Sequence, residues 1–156
     1  MGKEKMTKLE KQWVLYDVGN SAFVMLVSTI IPIYFKNMAT ASGISAANST
    51  AYLSYAISIS TILVALLGPV CGAAADNKGF KKPLFTAFMM IGVIACAAMG
   101  IPKTWLAFLV VFVIAKVGFS GSLIFYDSML VDVTTDERMD EVSSHGYAWG
   151  SVSYTH

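Results

Sequence analysis

The residues that invite chemical explanation are charges set inside apolar runs. Lys116 lies near the middle of the run from Trp105 to Leu130. An ionisable side chain at a bilayer centre costs about 2.5–3.5 kcal/mol on insertion scales, so it normally faces a water-filled cavity or a partner. Ser120, Leu123 and Asp127 follow at i+4, i+7 and i+11, which puts Lys116, Ser120 and Asp127 on one helix face. About 16 Å along the axis separates Lys116 from Asp127, too far for a direct pair. Each therefore needs a partner on another helix, in a solute or in water, and a face lining a pathway through the membrane accounts for them better than a neutralised structural charge. Asp17 and Asn20 form a second polar pair at i, i+3, joined by Ser21 at i+4. Asp17 sits about one turn inside the expected boundary, at the depth of Asp127. Two readings of Asp17 stand level: a proton or cation relay with Asp127, or a carboxylate that suits a helix N-terminus near the interface.

The elements that must hold these groups are membrane helices. Of 156 residues, 56% are hydrophobic and only 13% charged, against about 25% charged in a soluble domain. The mean hydropathy is +0.63, and the charges gather between long apolar segments. After a lead of residues 1–12, spans are expected over about 13–35, 50–75, 83–100 and 105–130, with a truncated fifth helix from about 146. The first apolar run is too long, and too interrupted by Asp17 and Asn20, for a cleaved signal peptide. The fold class is therefore all-α and membrane-embedded. Ser54, Ser58, Thr61, Ala65, Gly68 and Gly72 recur at spacings of three and four on the second helix, a small-residue stripe suited to close helix packing.

Eight lysines and arginines fall in the segments on the side of the N-terminus and only Lys36 and Lys103 in those on the other, which places the N-terminus in the cytoplasm. Asp76 ends the second helix, where the helix dipole disfavours a carboxylate; Lys78, Lys81, Lys82 or another helix N-terminus should compensate. Gly79 should supply the positive φ of the turn. No nucleophile elbow, phosphate-binding loop or two-histidine metal spacing occurs, so no enzyme, cofactor or metal is expected. Cys71 and Cys96 read as small buried hydrophobes. No basic stripe with interleaved aromatics points to nucleic acid.

The turn Gly72-Ala-Ala-Ala-Asp76-Asn77-Lys78-Gly79-Phe80-Lys81-Lys82 resembles the signature between helices two and three of the major facilitator superfamily. Gly72, Asp76, Gly79 and Lys81 match it. Asn77 and Phe80 stand at usually basic positions, for which Lys78 or Lys82 would stand in. Trp13-Val-Leu-Tyr-Asp-Val-Gly-Asn-Ser-Ala-Phe23 with Pro32-Ile-Tyr-Phe35, Phe125-Tyr-Asp-Ser-Met-Leu-Val-Asp132 and Arg138 to Gly150 are similar to the first, fourth and fifth helices of its vacuole effluxer-like family of autophagy-related permeases.

That resemblance implies the N-terminal half of a bundle of about a dozen helices, in two pseudo-symmetric halves with solute bound near the midplane. It implies a secondary carrier working by alternating access on small solutes, amino acids among them, coupled to a proton or another cation. The bacterial plasma membrane is the expected site, or a vacuolar membrane in a eukaryote. Helices one and four would border the cavity, adding Tyr126 to Asp17, Asn20, Lys116, Ser120 and Asp127 as pathway candidates. Gly72, Asp76, Gly79, Lys81 and Lys82 would form a gating turn at the seam between halves. The chain then reads as a fragment lacking its C-terminal half and inactive alone. The competing expectation is a complete four-helix membrane protein acting as an oligomeric carrier or accessory subunit.

Overall fold

The computed structural model describes residues 8–75, 79–133 and 144. In order come α1 (Lys8–Met25), a π-helical turn (Leu26–Ile30), α2 (Ile31–Ala41), α3 (Ala46–Ala75), α4 (Lys81–Ala98) and α5 (Trp105–Val133). No strand occurs among the described residues. Four stretches are long and apolar enough to cross a membrane: Val14–Ala41, Ala46–Ala74, Lys81–Ala98 and Trp105–Met129. The chain is thus an all-α, multi-pass membrane protein. The expected start of a fifth helix near residue 146 lies outside the described residues.

The first span departs from the uninterrupted helix expected over 13–35. Its middle is a π turn, and the local sequence explains why. Pro32 has no N–H to return to the preceding turn, and its ring crowds the carbonyl there. Ser28 donates its hydroxyl to the Val24 carbonyl at 2.8 Å, and Thr29 donates to the Met25 carbonyl. Side chains that bond back to the helix in this way loosen its ladder, and a wide turn next to a proline is one of the few routine causes of a bend.

Residues expected as a loop from Lys36 to Ser49 are mostly helical. Ile31, Phe35 and Ala39 are buried along one face of α2, so packing carries the helix past Phe35. It stops at Gly43, with φ +83. There the Gly43 amide donates to the Thr40 carbonyl at 3.0 Å and the Ile44 amide to the Ala39 carbonyl at 3.0 Å, the paired bonds of a Schellman ending. Ser45 then caps α3, its hydroxyl oxygen accepting from the Asn48 amide at 3.2 Å, which starts that helix at Ala46 rather than near Thr50.

By contacts the chain divides into two units, residues 1–29 with 128–156, and residues 30–127. Described residues of the first include α1, where Val14, Ser21 and Phe23 are buried. The second is a four-helix assembly with α5 as its hub. Of the most apolar window of α5, 44% is buried, against 11–22% for the other spans. At one end Phe108 meets Tyr34 and Phe35 of α2 with ring centroids 5.4 and 5.8 Å apart, and Trp105 stacks on Tyr52 of α3 at 5.2 Å. Towards the other end, Phe88 of α4 lies 5.7 Å from Phe125, which is fully buried with Cys71, Leu84 and Phe85 around it. Cys71 is therefore packed as an apolar side chain.

The closest helix approach is between α4 and α5, at glycines. A Cβ on Gly118 would lie 2.5 Å from the Gly92 nitrogen and 3.0 Å from the Phe88 carbonyl oxygen, and a Cβ on Gly121 would overlap the Phe88 ring. The small-residue stripe of α3 plays no such part. Ser54, Ser58, Thr61 and Ala65 are exposed, Gly72 has open space where a Cβ would be, and a Cβ on Gly68 would meet Ile124 at an ordinary 3.8 Å. Periodicity revealed a face of small residues but not which helix covers it. Replacing Gly118 by alanine should therefore destabilise the protein by about 1–3 kcal/mol through overpacking. Gly72→Ala should be neutral or raise stability by up to about 1 kcal/mol from helix propensity. Thermal melting of the two purified variants in detergent checks the contrast.

Candidate functional site

Within residues 30–127 the candidate pathway groups all belong to α5. The side carrying Gly118, Gly121 and Phe125 is closed against α4. Around the helix from it lie Lys116, Ser120 and Leu123, all half-buried, and Asp127, exposed. One turn before Lys116, Phe112 is fully buried, as is the adjacent Ala115. Lys116 thus stands half-buried at the margin of the packed core. Tyr126 is buried, with 5% of its surface exposed, so it belongs to the packed side of α5 rather than to the sector of Lys116 and Asp127. Ser122, two residues beyond Ser120, is fully buried and donates its hydroxyl to the Phe119 carbonyl at 2.8 Å.

In the other unit Asp17 and Asn20 are both half-buried on α1, three residues apart and so on one face, with Ser21 buried beside them. The structure therefore shows two local polar sets, one on each unit: Asp17 with Asn20, and Lys116 with Ser120 and Asp127.

The signature turn is described in part. Gly72 lies half-buried in the last turns of α3, and Asp76, Asn77 and Lys78 lie outside the described residues. Gly79 has φ +90, the positive value expected of the turn. Phe80 is exposed, and Lys81 and Lys82 occupy the first turn of α4 with Pro83 after them. Cations are electrostatically disfavoured at a helix N-terminus, so the turn holds its positive charge against the local dipole. That arrangement calls for a carboxylate or a lipid headgroup close by. The Lys82 carbonyl accepts the Thr86 hydroxyl at 2.9 Å, tying the first turn together.

One candidate went unnoticed in the sequence: the π turn at Leu26–Ile30. Such turns occur often at functional sites. Its signal was the run Ser28-Thr29 followed by Pro32, two back-bonding hydroxyls ahead of a residue with no amide hydrogen. Among the described residues, no cluster of histidine, cysteine, aspartate and glutamate is arranged to hold a metal.

A known family, described as vacuole effluxer Atg22 like, matches residues 45–148. The chain belongs to that family. It is also 45% identical over 155 residues to a protein of Bacillus subtilis (strain 168) named uncharacterized MFS-type transporter YxiO. That match covers 97% of this chain and 36% of the relative, so the chain spans little more than a third of the relative's length. Both names describe transport proteins rather than enzymes. No solved structure matches the chain. The stretch from Gly72 to Lys82 falls at the end of α3 and the start of α4, where the second candidate span gives way to the third.

Gly79 offers a direct check on the turn. A residue with a Cβ is strained at φ +90, and nothing lies within 4 Å of where that Cβ would be. Gly79→Ala should therefore cost about 1–2 kcal/mol from backbone conformation alone, whereas Gly79→Asn should lose less, since asparagine tolerates positive φ better. Melting temperatures of the two variants, compared with wild type, read the difference.

Proposed function

We propose that this chain is the N-terminal part of a secondary carrier of the major facilitator type that moves small solutes, amino acids foremost, by alternating access. The observation that carries the reading is an ammonium group midway along α5, half-buried beside the packed core, in a chain of the vacuole effluxer-like family. A carrier needs a hydrated, chemically selective surface at mid-depth, and a charged residue held at the margin of a packed helix is the means of making one. Four spans in little more than a third of the relative's length agree with a protein of about a dozen helices whose remaining helices complete the cavity.

In this reading the N-terminus is cytoplasmic and the protein sits in a bacterial plasma membrane. Lys116 and Ser120 border the solute path, and Tyr126 backs them from the packed side of α5. Asp17, Asn20 and Asp127, nearer its cytoplasmic end, take up and release the coupling proton or cation. The turn containing Gly72, Asp76, Gly79, Lys81 and Lys82 stabilises one access state by placing a carboxylate where it balances lysines and helix ends, and its contacts would be remade at each switch.

The test is solute flux across vesicles containing the complete carrier. Asp127→Asn should slow coupled flux by about tenfold or more, the rate equivalent of about 1.4 kcal/mol, with expression unchanged. Asp76→Asn should slow flux while leaving equilibrium solute binding within about twofold, less than 0.5 kcal/mol. Undiminished flux in Asp127→Asn removes its coupling role. Equal loss of binding and flux in Asp76→Asn removes the gating role of the turn.

A further inference from the structure

The two arms of the first span are held differently. α2 is pinned. Ile31, Phe35 and Ala39 are buried along one of its faces, and the rings of Tyr34 and Phe35 lie 5.4 and 5.8 Å from that of Phe108 on α5. Its far end is closed by the Schellman bonds at Gly43. α1 carries Asp17 and Asn20, and the division of the chain by contacts falls between the arms, inside the π turn, after Thr29.

A joint in lipid must bend without baring backbone groups, since no water is there to satisfy them. The turn meets that condition. Ser28 donates its hydroxyl to the Val24 carbonyl at 2.8 Å, with the Met25 carbonyl 3.3 Å away, and Thr29 also donates to the Met25 carbonyl. The last carbonyls of α1 are thus bonded by hydroxyls of the turn itself, whatever direction α2 takes. Pro32 has no N–H, so the ladder bond that residue 32 would make back across the turn is missing at every angle. Ser28, Thr29 and Ile30 are exposed, which leaves the turn room to change. α3 supplies the contrast. It contains Pro69, and Ser54, Ser60 and Thr61 bond back to its carbonyls, yet it runs as an α-helix from Ala46 to Ala75. There the nearest of these hydroxyls, on Thr61, is eight residues before the proline. Only in the first span do both devices fall within one turn.

We propose that Leu26–Ile30 is a hinge, about which α1 swings with Asp17 and Asn20 while α2 stays fixed to Phe108. The first span then exchanges a straighter and a more bent form. In the straighter form the Val24 and Met25 carbonyls take helix amides; in the bent form they take the hydroxyls of Ser28 and Thr29. Exchanging one hydrogen bond for another keeps the two forms close enough in free energy for both to be populated. The hinge is a property of the turn and is independent of the solute; its use in alternating access rests on the carrier reading above.

The experiment uses the complete carrier in lipid nanodiscs, its native cysteines replaced by serine, and reads distance distributions between paired spin labels by double electron–electron resonance. Labels at positions 15 and 33 bracket the turn, and a control pair at 33 and 106 joins α2 to α5; Leu15, Ile33 and Leu106 are all exposed. A straight helix would put the first pair about 27 Å apart along its axis. The 15–33 distribution should be at least about twice as wide as the control, or split in two, as two populated forms require. Pro32→Ala should narrow it in part. Ser28→Ala, Thr29→Val and Pro32→Ala together restore the amide ladder and should narrow it to the control. A wild-type 15–33 distribution as narrow as the control overturns the proposal, because the turn is then a proline kink of fixed angle. A width unchanged in the triple variant also overturns it, because the motion then arises elsewhere. If the triple variant does not reach the membrane, the wild-type widths and Pro32→Ala decide in the same way. Flux of mixed amino acids in the same proteins separates the hinge from its use. It should fall by about tenfold or more in the triple variant, and unchanged flux with the turn locked overturns the role in transport. A fixed turn in a protein that carries solutes refutes the hinge alone. A mobile turn in a protein that carries no solute keeps the hinge and refutes the carrier reading.

Discussion

Helices in lipid gain little by burying apolar surface against one another, because the acyl chains are as apolar as the partner. What fixes their positions is close contact, and here the closest is the glycine crossing of α4 on α5, where Gly92 and Gly118 let the two backbones touch and Phe88 covers Gly121. The rest of the second unit follows from that crossing. With one side of α5 committed to α4, its aromatic end meets Tyr34, Phe35 and Tyr52 from α2 and α3. The sector bearing Lys116, Ser120 and Asp127 is only partly covered. A charged residue at mid-membrane is best kept on such a part-covered sector, since deep in the packed side it would need a buried counter-ion and on a lipid-facing side it would sit in hydrocarbon.

The same contrast separates the two kinds of small residue in the chain. Glycines at a backbone crossing cannot be replaced without moving a helix. The serines and threonines of α3 are small for another reason. Most of their hydroxyls bond back to the helix, as Ser54 does to the Thr50 carbonyl at 2.9 Å and Thr61 to the Ile57 carbonyl at 3.0 Å, so these can be exposed without leaving a polar group unsatisfied. The π turn of the first span combines both themes: hydroxyls that satisfy carbonyls, and a proline that frees one. It is the point in the first span where the helix is least tightly wound.

Much of this architecture was legible in the residues. Four spans follow from apolar run lengths, and the family from the Gly72–Lys82 turn with the Trp13–Phe23 and Phe125–Asp132 stretches, none of which needs coordinates. The positive φ at Gly79 follows from turn chemistry. The extent of α2 was not legible from propensity alone, because tertiary packing of Phe35 and Ala39 carries it on to the Ser42-Gly43 ending. Nor could periodicity show that Gly92 and Gly118 meet, since each occupies an ordinary-looking position in its own helix and only the pairing makes it special. The intramembrane charges were legible as an anomaly. That Lys116 is half-buried at the edge of the packing, while Tyr126 belongs to the core, required knowing which sides of α5 are covered.

The central claim is that the Lys116 sector of α5 faces water at mid-membrane in the working protein. Single cysteines placed along α5, in a background with Cys71 and Cys96 replaced by serine, test it through their rate of reaction with a charged, water-soluble thiol reagent. Cysteines at positions 116, 120, 123 and 127 should react, while those at 110 and 114, on other sides of the helix, should not. Silence at 116 and 120, with reaction at 110 and 114, would contradict the account.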